Sequence, residues 1–253
     1  MSLIDLTGTR VVVTGGSQGI GAAAVRMLHK AGATVVFTYR SREDLARTLC
    51  AELGDRAMMV YADLADAASL PLLMETCVRG MGGIDVLVNN AGVFAENPFT
   101  GDDFEQWRLG WQQTFAVNLF AAADLAWLAM REMRRAGTGG RIINIASRAG
   151  HRGELTFADY GASKAALLNL TKSIARGCAR DNIVAFSVAP GFIATEMAAE
   201  AISDAGVEIA AEIPSGRIGM PDDVAGIIAF LASPLAQYAT GTTIDVNGAS
   251  YVR

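Results

Sequence analysis

The sequence predicts an α/β fold, a doubly wound parallel sheet of seven strands with helices on both faces, and three observations carry that prediction. Short β-branched runs alternate with longer helical patterns along all 253 residues, as successive βαβ units require. The strand candidates are almost continuously apolar, the pattern of strands covered on both sides. No Pro/Gly/Ser-rich linker, charge block or internal repeat interrupts the series, so residues 1–253 are expected to form one domain.

The first strand, Arg10 to Thr14, is a valine run that meets Gly15-Gly16-Ser17-Gln18-Gly19-Ile20-Gly21 and then an Ala-rich helix through about Lys30. A second strand, Thr34 to Tyr39, leads into a helix over Glu43 to Leu53, and a third, Ala57 to Tyr61, ends at Asp63. Next come a helix from about Ala67 to Arg79 and a strand Ile84 to Val88 that stops at Asn89-Asn90-Ala91-Gly92. Two helices are expected, one from about Asp103 and one from about Asn118 to Arg135, before Gly137 to Gly140 break the chain. Strand Arg141 to Ala146, a long helix from near Ala158 to Arg180 and strand Ile183 to Val188 follow. The acidic, Ala-rich stretch Thr195 to Glu212 comes after a strand's C-terminal end, where open α/β sheets bind ligands, and is a candidate lid. A helix Asp222 to Ala232, opened by Pro221, and a short strand Thr243 to Val246 close the series.

Composition excludes several functions. With 51% hydrophobic and 19% charged residues the chain is neither disordered nor, with 27 Gly lacking a three-residue period, collagen-like. A net charge of −5 argues against nucleic acid as a partner, because phosphate-backbone readers need clustered Lys and Arg. Cys50, Cys77 and Cys178 lie far apart without a Cys-x-x-Cys pair, so neither a disulfide framework nor a metal site is expected, and a reducing, cytoplasmic setting fits. The first ten residues lack a signal-peptide core. Phe115 to Met130, the most hydrophobic long segment, holds Asn118 and Asp124 and is shorter than the ~20 apolar residues of a membrane span.

Chemistry is signalled at four places. The Gly15 to Gly21 turn lies between a strand and a helix, where glycines let backbone N–H groups and a helix N-terminus approach a pyrophosphate. The same glycines would also serve a tight βα turn. In dinucleotide folds the second strand ends in an acid that binds the ribose diol, or in a base that accepts a 2′-phosphate. Here it ends Tyr39-Arg40-Ser41-Arg42, so Arg40, with Ser41 or Arg42 assisting, favours NADP(H) over NAD. Arginines that merely solvate a helix start are the plainer reading, though cations are disfavoured there. Tyr160 and Lys164 share a helix face at i, i+4, and Ser147 follows directly on a strand end.

Together these elements resemble the short-chain dehydrogenase/reductase family, of the classical single-domain Rossmann type, over essentially the whole chain. The family's Thr-Gly-x-x-x-Gly-x-Gly element matches Thr14 to Gly21, its Asn-Asn-Ala-Gly element Asn89 to Gly92, and its Tyr-x-x-x-Lys element Tyr160 to Lys164, thirteen residues after Ser147. The resemblance implies Asn118, Ser147, Tyr160 and Lys164 as catalytic residues. It further implies that the turn residues Gly15, Ser17, Gln18, Gly19, Ile20 and Gly21 hold the cofactor with Arg40, Asp63 and Leu64, Asn90 to Gly92, Tyr160, Lys164, Pro190, Gly191, Ile193 and Thr195. Asp63 would contact the adenine, Ile193 the carboxamide through its backbone, and Thr195 the diphosphate or nicotinamide. In the implied reaction Tyr160 is acid/base, Lys164 supports it and holds ribose hydroxyls, Ser147 hydrogen-bonds the carbonyl oxygen and Asn118 fixes a relay water.

The expected activity is NADP(H)-dependent interconversion of a ketone or aldehyde with an alcohol, by a homotetramer that needs neither nucleic acid, membrane nor metal. The pattern Ile213-Pro214-x-Gly216-Arg217-Ile218-Gly219-x-Pro221 is similar to 3-oxoacyl-carrier-protein reductases, for which Arg131, Arg134, Arg135, Arg148 and Arg152 could form a basic docking rim. A catalytically silent NADP-sensing protein and a methyltransferase of related fold are the rival readings. Phe94, Glu96, His151, Arg152, Leu155, Phe157, Phe192 and Met197 are candidates for the substrate cavity, and Trp107, Trp111, Phe115 and Trp127 for core or subunit packing.

Overall fold

A computed structural model describes residues 4–253. It contains one seven-stranded sheet in the order β3-β2-β1-β4-β5-β6-β7, every pairing parallel. The strands are β1 (Arg10–Val13), β2 (Thr34–Tyr39), β3 (Ala57–Tyr61), β4 (Val86–Asn89), β5 (Gly140–Ile145), β6 (Ile183–Pro190) and β7 (Thr243–Val246). The helices are α1 (Gly19–Lys30), α2 (Glu43–Leu53), α3 (Leu70–Met81), α4 (Phe104–Phe115), α5 (Ala121–Ala136), α6 (Ala158–Cys178), α7 (Ala199–Glu212) and α8 (Pro221–Ala232). This is the doubly wound Rossmann architecture. Its chain order reverses between β1 and β4, which opens a crevice above their C-terminal ends.

Strand periodicity sorts the core into two layers. Val11, Val13, Val35 and Phe37 point to one face, under α1, α2 and α8, while Val12 and Val36 point to the other, under α3, α5 and α6. Both faces are sealed, so the strands need no polar side.

The expected break between two helices near Asn118 is absent. Residues Ala116–Phe120 form a π-helical turn that joins α4 to α5 as one continuous helix. No Gly or Pro is available to stop the chain there, so one extra residue is absorbed instead. The joined helix, Phe104–Ala136, is long and apolar enough by composition to cross a membrane, and 56% of its most apolar window is buried within the protein. Ala122, Leu125, Ala129 and Met133 supply its inward face. Other element ends fall within a few residues of expectation; α3 begins three residues later than predicted because Ala67–Ser69 are a 3₁₀ turn capped by Asp66.

Candidate active site

A cavity of about 410 Å³ lies over the C-terminal ends of the central strands, at the crevice set by the strand order. Every residue singled out for cofactor binding lines it, as do Ser147, Tyr160 and Lys164. Its floor on one side is the glycine turn. Gly15 and Gly19 have φ of 63° and 54°, left-handed values that a side chain would strain. A Cβ on Gly21 would strike the Gly15 carbonyl, so the third glycine is fixed by contact. Asn90 holds the turn, its Nδ2 donating to the Thr14 and Gly15 carbonyls at 2.9 and 3.0 Å, while Thr14 Oγ1 accepts the N–H groups of Asn90 and Ala91. The Asn90 side chain is therefore spent on the loop, leaving the backbone of Asn90 to Gly92 to face the cavity.

Helix α1 starts without a side-chain cap and without an acid in its first turn. Its first N–H groups are thus free to meet an anion, and Thr195 stands across from them, with Cγ2 3.2 Å from where a Gly19 Cβ would sit. Arg40, exposed at the end of β2, has no ion pair or hydrogen bond among the described residues, whereas Arg42 pairs with Asp44 at 2.9 Å. This donor set suits a dinucleotide: N–H groups for a diphosphate, a free guanidinium for a further phosphate, and Asp63 and Leu64 on the lining beyond β3.

At the other end, Ser147 leaves β5 as the cap of a 3₁₀ turn, its Oγ accepting the Ala149 N–H at 3.1 Å, and faces Tyr160 across the same cavity. One turn further along α6, the buried Lys164 Nζ donates to the Ile145 carbonyl at 2.8 Å and lies 5.6 Å from the Tyr160 ring centre. Burial pulls the Lys164 ammonium down to about 8. Burial also pushes the Tyr160 phenol up, with Glu154 adding to it and Ser147 opposing it. In the chain by itself Tyr160 is accordingly a protonated donor.

Asn118 sits in the π turn beside this group rather than on the cavity lining. Its Oδ1 accepts the Val93 N–H at 2.8 Å, and its Nδ2 donates to the Val93 carbonyl and to Ser163 Oγ, both at 3.1 Å. Both amide hydrogens are used; one lone pair of Oδ1 remains, close to Gly92 and on the Lys164 side.

Sequence reasoning missed Asp159. This buried carboxylate accepts the Tyr160 N–H at 2.8 Å, Thr114 Oγ1 at 2.8 Å and Asn97 Nδ2 at 3.3 Å, tying the start of α6 to α4. An acid in a helix's first turn, next to the tyrosine, was its only signal.

On the substrate side Phe94 stacks on Phe157 at 3.9 Å and meets Tyr160 edge-on at 4.8 Å. Phe192, Met197, Arg148, Arg152 and Glu154 complete the wall. Three candidates fall elsewhere. Glu96 and Leu155 are exposed outside the cavity, and His151 stacks on Tyr251 with Nε2 3.6 Å from Asp245 Oδ1. The imagined basic rim is largely neutralised, since Arg131 and Arg135 pair with Glu132, Arg134 with Asp181 and Arg152 with Glu154.

A doubly wound sheet with an anion-ready turn at its switch point defines a nucleotide-binding α/β protein of the Rossmann class. Residues 15–249 match the family model described as enoyl-(acyl carrier protein) reductase. The chain is 35% identical to the 3-oxoacyl-acyl-carrier-protein reductase FabG of Vibrio cholerae, covering 98% of this chain and all of that one. It is 38% identical to nodulation protein G of a Rhizobium species, with 97% and 98% covered. Among solved structures it is similar to a short-chain dehydrogenase/reductase, a glucose/ribitol dehydrogenase, from Brucella melitensis, with a TM-score of 0.90 at 31% identity and 99% of each chain covered. The chain belongs to the short-chain dehydrogenase/reductase family of oxidoreductases.

Proposed function

We propose that this oxidoreductase uses NADP(H) to interconvert a ketone or aldehyde with an alcohol, with Tyr160 as the acid/base. The observation that carries the reading is one cavity with two chemistries: a Ser147–Tyr160–Lys164 group at one end, and an uncapped helix N-terminus with a free Arg40 at the other. When bound, the nicotinamide supplies or takes up the hydride. Ser147, whose Oγ already accepts from Ala149, has its own hydrogen to give to a carbonyl oxygen, and so stabilises negative charge developing there. Tyr160, protonated in its buried setting, delivers a proton to the same oxygen. Lys164 places a positive charge beside the resulting phenolate, which lowers the cost of that transfer. Asn118 fixes the Val93 backbone at the cavity edge and offers its remaining lone pair to a relay water.

Arg40, without a partner among the described residues, is the residue that selects a 2′-phosphate. Thr195 to Glu212, a 3₁₀ turn followed by α7 with a kink at Ala205, is the lid of a single NADP-binding domain. The enzyme works in the cytoplasm as a homotetramer on a small carbonyl or alcohol, through the faces of α4, α5 and α6 and the β7 edge. Relatives named as 3-oxoacyl-acyl-carrier-protein reductases favour a 3-oxoacyl thioester as the second substrate to test.

The test is a carbonyl panel, including a 3-oxoacyl thioester, followed by NADPH absorbance with Tyr160→Phe as the blank. Turnover in the parent and not in the variant supports the reading. NADPH binding without oxidation against any carbonyl would instead define a silent nucleotide sensor.

A further inference from the structure

We infer that Arg148 anchors a carboxylate on the substrate, which makes oxo acids with an apolar or aromatic body the substrate class of this enzyme. The inference rests on the oxidoreductase reading above and deepens it.

Arg148 follows Ser147 directly and lines the same cavity. It is half-buried, yet no carboxylate lies within ion-pair distance and its guanidinium makes no hydrogen bond among the described residues. Glu154 and Glu212 act on it only from further away, and Glu154 is already bonded to Arg152 at 3.1 Å. A guanidinium that has given up part of its hydration needs a compensating partner. Part of that compensation is the ring of Phe192, over which Arg148 stacks at 4.7 Å. The ring takes none of the guanidinium N–H groups, which make no hydrogen bond among the described residues and can receive a carboxylate through two parallel bonds.

The cofactor does not supply that anion. Arg40 stands at the end of β2 and Arg148 beyond β5, three strand spacings or about 14 Å across the sheet. The uncapped start of α1 lies over β1, two spacings away. Beside Tyr160 the wall is aromatic, Phe94 stacked on Phe157, and suits an apolar body between the carbonyl and the anion, while Glu154 is held by Arg152.

The test uses 2-oxo-4-phenylbutanoate and 4-oxo-4-phenylbutanoate against their methyl esters with NADPH, in the parent and in Arg148→Met. In the parent, kcat/KM is expected to favour at least one acid over its ester by about tenfold or more, the scale of a charge-assisted hydrogen bond. In Arg148→Met that ratio falls toward one, through the KM of the acid, and Arg148→Lys restores part of it. Equal rates for acids and esters in the parent, an undiminished preference in Arg148→Met, or tenfold preference for a 3-oxoacyl thioester over every acid would each overturn the assignment. A second readout separates it from the reading beneath it. With NADP⁺ present, 4-phenylbutanoate raises the melting temperature of the parent and not of Arg148→Met. If that shift appears while no carbonyl is reduced, the anchor stands and the oxidoreductase reading falls.

Discussion

Tyr160 and Lys164 are both moved by burial, in opposite senses, and that decides what each does. The phenol is held protonated and the ammonium is weakened to about 8. Tyr160→Phe removes the hydroxyl that would exchange a proton beside Ser147; kcat is expected to fall about 10²–10⁴-fold, with NADPH affinity, read by fluorescence, little changed. Above pH 8 Lys164 loses its proton and its support of Tyr160. The rate of carbonyl reduction should therefore decline as pH rises through 8, and a profile flat to pH 9.5 would remove that role. The stability sign is the reverse of the functional one. Lys164 in the folded chain sits below its unfolded value of ~10.4, so its burial costs stability below pH 8 and the cost relaxes as pH rises from 8 towards 10.4. Lys164→Met should accordingly gain up to roughly 3 kcal/mol in denaturant unfolding at pH 7, less what the lost bond to the Ile145 carbonyl costs, while losing activity. Arg40→Asp is expected to shift the ratio of NADPH to NADH efficiency by at least about tenfold towards NADH, the scale of a lost charged hydrogen bond. An unchanged ratio would place the 2′-phosphate elsewhere.

At the scale of elements, α6 carries Tyr160 and Lys164 and is held at its start and in its middle. Its start is fixed by Asp159; its middle is fixed by Thr171, which accepts from Asn144 Nδ2 at 2.8 Å and from Ser187 Oγ at 2.7 Å inside the core. Asp159→Ala leaves the Tyr160 N–H and Thr114 Oγ1 without this acceptor and Asn97 Nδ2 with the Trp107 carbonyl alone. It should cost about 2–4 kcal/mol in denaturant unfolding and lower kcat without a matching change in NADPH affinity. Asp159→Asn, which keeps one acceptor oxygen, should recover part of both. Much of this level was legible in the sequence: the strand runs, the glycine turn and the Tyr160–Lys164 spacing are local signals. The π turn at Ala116–Phe120 was not, because nothing local stops the helix and the bulge is set by packing. Asp159 was hidden because its partners, Asn97 and Thr114, lie 62 and 45 residues away. His151 follows Ser147 closely in the sequence, but its stacking on Tyr251, 100 residues on, decides its place.

For the whole molecule, burial accounts for one side of the joined helix and leaves the other. Phe104, Leu109, Phe120 and Trp127 are all more than half exposed along α4 and α5, beside the ladder Trp107–Trp111–Phe115. An apolar face of that extent fits subunit packing, and the proposed homotetramer should sediment at four times the 26.5 kDa chain mass. Phe120→Glu with Trp127→Glu should yield smaller species, and a parent that sediments as a monomer would contradict the assembly.

The position of β1 between β2 and β4 sets the order in which the glycine turn can be completed. Val11 pairs with Val35 on one side but with Val86 on the other, and the glycine turn is braced by Asn90, 76 residues after Thr14. A ribosome that has released only the first half-dozen elements has made the entire phosphate-binding sequence, yet the turn lacks its brace until β4 emerges. The reacting group comes later still, after β5 and α6. The face of the sheet that carries the glycine turn is closed only when α8 packs beside α1, so a chain cut after β5 should neither hold a phosphate nor move a proton.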